Sequence, residues 1–186
     1  MESNLIIGSQ SDIANKQNIS LAESFLSAEM ILLVDVSGSM TMPDAPNNMS
    51  RWEYAQEQLT HLQGLYPGKI ALVEFSSNVF YQPGGKMSKP NGSTDMAEGL
   101  KFVKVADDCG IKIIIVSDGD PDSRNQALNE ASKFTTQIDA IYCGKEGGPG
   151  QLFLQKLVNQ TGGQFFTSAE PGMIGEGIEL LLLEDI

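Results

Sequence analysis

A chain of 186 residues with 41% hydrophobic residues is long enough to bury one core without covalent staples and too short for two large domains. Its formal charge of −12, with no cluster of Lys or Arg, excludes a phosphate-backbone partner, because binding DNA or RNA requires a basic patch. Two cysteines, Cys109 and Cys143, are too few for a disulfide framework and read as reduced core thiols.

From the N-terminus, residues 1–17 are polar apart from Leu5-Ile6-Ile7 and read as a tail ahead of one domain, 18–186. The tail has neither a basic leader nor an apolar stretch of signal-peptide length, and no later run approaches membrane-spanning length. The expected location is therefore cytoplasmic, with no membrane contact. Ala22, Phe25 and Leu26 predict a helix before the first strand. Met30-Ile31-Leu32-Leu33-Val34 is short, unbroken and apolar, the pattern of a central parallel strand buried on both faces. Ser50 and Glu53 form a capping box, after which Trp52, Ala55, Leu59, Leu62 and Tyr66 recur at helical spacing until Pro67-Gly68 stops the helix.

Lys69 to Phe75 is a strand candidate, and Asn78 to Gln82 pairs beside it as an edge hairpin before Pro83-Gly84-Gly85. A helix opens near Thr94-Asp95 with Met96, Ala97, Leu100 and Val103 on its buried face. Ile111 to Val116 repeats the buried-strand pattern, and a helix near Ser123 carries Ala127, Ala131 and Phe134. Ile138 to Cys143 reads as a strand, and Leu154, Leu157 and Val158 as a helix face ended by Gly162-Gly163. A short strand, Gln164 to Thr167, and a terminal helix, Ile174 to Leu183, complete the chain. The alternation predicts a doubly wound α/β fold: a mostly parallel central sheet with one antiparallel edge strand, flanked by helices. Ligands of such sheets sit at the carboxyl ends of the strands, at the switch point.

Both buried strands end in polar turns there. The first reads Asp35-Val36-Ser37-Gly38-Ser39, one carboxylate and two hydroxyls at alternate positions, with Gly38 expected to let the backbone curl toward one centre. Hard oxygen ligands of this kind suit Mg²⁺, with Mn²⁺ or Ca²⁺ as alternatives, and do not suit zinc, which prefers His and Cys.

Asp35-x-Ser37-x-Ser39, then Thr94 in Gly92-Ser93-Thr94-Asp95, then Asp118 in Ser117-Asp118-Gly119, resembles the metal-ion-dependent adhesion site of von Willebrand factor A (VWA) and integrin inserted domains. The resemblance covers Met30 to the C-terminus and implies a Rossmann-like VWA fold. It further implies that Ser37 and Ser39 bind the cation directly, and that Thr94, Asp35 and Asp118 bind directly or through water. The sixth position would be left for a Glu or Asp of a partner protein. The function so implied is divalent-cation-dependent protein binding without catalysis, with the loops 41–49, 82–93 and 144–150 supplying selectivity.

Two other readings compete. An aspartyl phosphohydrolase of the haloacid dehalogenase type also places an Asp after its first strand, but it needs a second Asp two residues later, where this chain has Ser37. A metal-gated assembly subunit working with a separate ATPase is the third reading, since the chain has no ATPase motif of its own. His61 lies on a predicted helix with no ligand cluster near it and reads as a surface or packing residue. Gly144 to Gly150 lacks the Lys-Ser/Thr ending of a phosphate loop and reads as a connection at the same sheet edge. Asp120 and Asp122 are read as caps of the helix that follows, ahead of the alternative that they add negative potential near the ion.

Overall fold

Branched residues in unbroken succession require cover on both faces of a strand, and the chain provides it. The computed structural model describes residues 5–168 and 173–183. Its strands are β1 (Met30–Asp35), β2 (Ile70–Phe75), β3 (Val79–Tyr81), β4 (Lys112–Ser117), β5 (Ile138–Tyr142) and β6 (Phe165–Thr167), in the spatial order β3-β2-β1-β4-β5-β6. All neighbours are parallel except β2 and β3, which run antiparallel at one edge. The helices are α1 (Gln10–Gln17), α2 (Leu21–Leu26), α3 (Arg51–Leu65), α4 (Met96–Val103), α5 (Arg124–Ala131), α6 (Pro149–Thr161) and α7 (Met173–Leu183).

Alternate residues of each central strand enter opposite cores. Met30, Leu32 and Val34 of β1 join Leu72, Ile114 and Val116 beneath α3 and α7, whereas Ile31 and Leu33 join Val73, Phe75, Ile113 and Ile115 beneath α4, α5 and α6. Because β2 and β3 extend the sheet on one side of β1 and β4 resumes on the other, β1 and β4 flank the switch point. Their carboxyl ends, Asp35 and Ser117, therefore open onto the same crevice.

Local signals account for most boundaries. The Ser50 hydroxyl accepts from Glu53 N while the Glu53 carboxylate accepts from Ser50 N, so the predicted capping box starts α3. Asp95 caps α4, whose Met96, Ala97, Leu100 and Val103 are all buried. Gly162, in the left-handed region at φ 78°, closes α6.

Three expectations change. Gln10–Gln17, counted within a polar tail, is a helix held against the domain: Gln10 Nε2 donates to Gly68 O at 2.6 Å, and Ser11 N donates to Pro83 O at 2.8 Å. Polar side chains dock it by hydrogen bonds where apolar periodicity gave no signal. In α2, Phe25 packs on the core, but Ala22 is exposed and Leu26 is 62% exposed. The buried position is Ser24, whose hydroxyl donates to Gln10 O, so α2 leans on α1 and covers little of the sheet. Cys109 is exposed, not a core thiol, because it ends a 3₁₀ segment beyond α4, while Cys143 is buried and both are free.

That 3₁₀ segment, Lys104–Cys109, carries a buried carboxylate, Asp107. It accepts from Thr135 N at 2.9 Å and Thr136 N at 2.8 Å and pairs with Lys104. Burial works against ionisation there, but the bonds from Lys104, Thr136 and Thr135 outweigh it and hold the carboxyl well below its ordinary 3.8. With a depressed native value, its stabilisation is present above 3.8 and drains away as pH falls below it. Asp107→Asn is therefore expected to cost about 1–3 kcal/mol at neutral pH, read as a lower urea midpoint. The gap between the two chains should narrow progressively as pH falls below 3.8 toward the depressed native value, and a gap unchanged across that range would remove this pair from the acid response.

Candidate functional site

At the end of β1, Asp35 is fully buried, with both carboxylate oxygens occupied. Oδ1 accepts from Ser37 N at 2.8 Å, and Oδ2 accepts from the Ser117 hydroxyl at 2.6 Å. The Ser117 hydroxyl in turn accepts from Gly119 N at 2.9 Å, so a short relay ties the ends of β1 and β4. Burial pushes the Asp35 carboxyl up to about 6; the hydrogen bonds from Ser117 and Ser37 oppose this, and the negative charge of Asp118 adds to it.

Ser37 and Ser39 are presented by a 3₁₀ turn, Gly38–Thr41, that begins directly after Ser37, and their hydroxyls lie 3.1 Å apart. The turn, rather than strand alternation or a special glycine conformation, brings them together. Gly38 has an ordinary φ, and a Cβ added to it would meet only Gly92 O, at 3.6 Å. Its N–H donates to Gly92 O at 3.2 Å, and Asn91 N donates to Val36 O at 2.9 Å, which fastens the 91–94 stretch beside the turn.

Thr94 is buried and locked to the loop after β4 by a reciprocal pair. Thr94 N donates to Asp122 Oδ1 at 3.0 Å and Asp122 N donates to Thr94 O at 3.0 Å. Asp122 thus holds Thr94 and does not cap a helix; the cap of α5 is Ser123. Asp120 pairs with Arg124 at the surface. Gly150, in the first turn of α6, packs its backbone against Asp118 and Gly119, where any Cβ would collide.

Asp118 is buried, and the residue that reaches it escaped the sequence reading. Arg51, the first residue of α3, donates from Nη1 to Asp118 Oδ2 at 2.7 Å. Its Nε and Nη2 grip both oxygens of Asp44 at 2.8 and 2.6 Å. Asp118 Oδ1 is buried and finds no hydrogen-bond donor among the described residues. Beneath the turn, Cys143 Sγ lies 3.7 Å from Met40 Sδ, and burial, followed by the nearby charges of Asp118 and Asp35, pushes that thiol well above its ordinary range. His61 is exposed on α3, away from these groups.

The five predicted residues thus stand on three stretches of one sheet edge, the end of β1 with its turn, 91–94 and the loop after β4, that are hydrogen-bonded to one another. Among the described residues, no group of three or more His, Cys, Asp and Glu side chains is placed to hold a metal. What the edge offers is two carboxylates with the hydroxyls of Ser37, Ser39 and Thr94, a hard-oxygen set that fits Mg²⁺ or Mn²⁺ and not a soft metal. The orphaned Asp118 Oδ1 also fits, since a buried carboxylate oxygen without a donor calls for a cationic or protic partner.

No family model matches the chain, and no curated protein does. Solved structures do. BatB from Bacteroides thetaiotaomicron superposes with a TM-score of 0.67 at 17% identity, over 83% of this chain and 97% of that one. The von Willebrand factor type A protein from Catenulispora acidiphila gives 0.61 at 15% identity, over 83% of this chain and 42% of that longer one. The fold is that of a VWA domain. The SpRpn10 VWA domain agrees, with a TM-score of 0.57 at 10% identity over 82% of this chain and 94% of that one. At such identities the likeness is one of fold, so the chemistry of the VWA edge has to be argued from this chain's own residues.

Proposed function

We propose that the carboxyl edge of the sheet binds one divalent cation, Mg²⁺ by preference, and through it an acidic side chain of a partner protein. What supports this reading is the buried Oδ1 of Asp118, which has no donor among the described residues, together with the paired hydroxyls of Ser37 and Ser39 at the end of the neighbouring strand β1. Asp118, Ser37, Ser39 and Thr94 would hold the ion, while Asp35, with both oxygens engaged, supplies negative charge and orients Ser37 through its backbone N–H. A bound dication contributes Lewis acidity toward a carboxylate. The chain's own −12 charge repels an acidic partner at low salt, so the partner is expected to present basic surface around one exposed Asp or Glu.

Burial of Asp35 argues against a phosphohydrolase, since a fully buried carboxylate with two hydrogen-bonded oxygens offers substrate no nucleophile. The domain is accordingly read as a binding module and not an enzyme. No helix among the described residues is long and apolar enough to cross a membrane.

Calorimetric titration with Mg²⁺ tests the reading directly. Asp118→Ala should lose about a hundredfold or more in Mg²⁺ affinity, beyond the effect of changing an outer partner, with the fold retained. Capture of partner proteins should likewise require Mg²⁺ and fail in chelator. Heatless titrations together with identical partners in magnesium and in chelator would remove the metal from the function.

A further inference from the structure

Among the described residues, Arg51 is the cation that pairs with the buried Asp118 at this edge, and its placement has the form of a counter-charge. Its side chain is 9% exposed and that of Asp118 is 6% exposed, so their 2.7 Å contact lies where solvent screens little. A guanidinium does not shed its proton, so this positive charge leaves Asp118 only if the side chain moves. Movement is restrained on the far side by Asp44, which takes two parallel hydrogen bonds from the same fork. Arg51 Nη1 also lies 3.5 Å from the carbonyl of Ser39, and Arg51 N donates to Met42 O, so the group sits against the hydroxyl-bearing turn itself.

We propose that Arg51 competes with a divalent cation for Asp118 and so sets the affinity of the site, keeping it weaker than its oxygen ligands alone would make it. The inference rests on the metal reading above. The alternative for Arg51 is a positioning role, in which its hydrogen bond aims Asp118 and its loss weakens cation binding. Two opposing contributions therefore meet at one residue. Repulsion between a fixed positive charge and a dication on the same carboxylate, in a desolvated pocket, outweighs the benefit of a single orienting hydrogen bond.

Two substitutions separate charge from orientation. Arg51→Gln keeps a donor toward Asp118 and removes the charge; Arg51→Lys keeps the charge and loses the fork toward Asp44. With Mg²⁺ alone as the probe in calorimetry, Arg51→Gln is expected to bind at least about tenfold more tightly than the parent chain. Arg51→Lys should stay within about threefold of the parent. The rise in melting temperature on adding Mg²⁺ should be larger for Arg51→Gln as well.

A readout on the unaltered chain covers the case in which Arg51→Gln does not fold. The sequence has two arginines, Arg51 and Arg124, so the Nε–H resonance lost in Arg51→Lys identifies Arg51. That resonance should shift as Mg²⁺ is titrated in, because Arg51 gives up Asp118; a resonance unmoved at saturation overturns the proposal. If the parent binds Mg²⁺ and Arg51→Gln binds equally or more weakly, the counter-charge role is wrong and the metal site stands. If the parent and both variants all fail to bind, the metal site itself is wrong, and this inference goes with it.

Discussion

An Asp35→Asn chain is expected to be at least as stable as its parent in chelator and to bind Mg²⁺ about 10–100-fold more weakly. Stability and affinity move apart because the same carboxylate serves two ends. Asp35 is fully buried, and its ionised form is disfavoured by burial and by the negative charge of Asp118. An amide of the same shape keeps the bond from Ser37 N and inverts the one with Ser117, at a cost of about 1 kcal/mol. Removing an ionised group from the interior more than offsets this cost, because a buried charge without a counter-ion is the larger penalty.

The affinity loss follows from the same change, since a site with two carboxylates keeps only one. Urea denaturation in chelator and calorimetric titration, run on the same two chains, report the two quantities separately. Marked destabilisation of Asp35→Asn would show that the Ser37 and Ser117 bonds dominate over charge burial. Unchanged Mg²⁺ affinity would deny Asp35 any part in the site.

The second large effect is expected one residue past Asp118. Gly119 has φ +73°, and an added Cβ would stand 2.3 Å from Gly150 O and 2.7 Å from Gly150 C. Both obstacles are backbone, so they cannot rotate aside. A non-glycine residue in that conformation costs about 1–2 kcal/mol before any collision, and the collision forces the loop off α6. Gly119→Ala should therefore lose about 3 kcal/mol or more of stability, read from the urea midpoint, and should weaken Mg²⁺ binding because Asp118 moves with its neighbour. Gly38→Ala is the matched control: its φ is ordinary and its nearest neighbour ordinary contact, so a change within about 0.5 kcal/mol is expected. Equal losses at the two glycines would mean that the backbone packing of the 118–119 loop on Gly150 contributes nothing.

These two glycines also show where a linear reading stops. Gly38 drew attention because it sits inside Asp35-x-Ser37-x-Ser39, yet a 3₁₀ turn open to most residues does the work there. Gly119 carries no local signal of its own, and its constraint comes from Gly150, on a different element. Arg51 was legible only as the residue after a helix cap. Its role depends on Asp44 seven positions back and Asp118 sixty-seven positions on, a spacing no local pattern encodes. Asp122 likewise reads as a helix cap along the chain and becomes the anchor of Thr94 only when the two loops meet.

What the residues determined by themselves is the order and type of the main elements. Burial on two faces demands unbroken branched runs at Met30–Asp35 and Lys112–Ser117, and burial on one face demands helical spacing in Arg51–Leu65 and Met96–Val103. Those patterns are local, so they survive in one dimension, and they already put Asp35 and Asp118 at strand ends. Tertiary structure alone decided which polar groups face one another across that edge: Ser117 on Asp35, Asp122 on Thr94, Arg51 between Asp44 and Asp118. Hydrophobic periodicity records only that a side chain is hidden from water, whereas a hydrogen bond or ion pair requires a particular partner at a particular distance, and here folding alone supplies that partner.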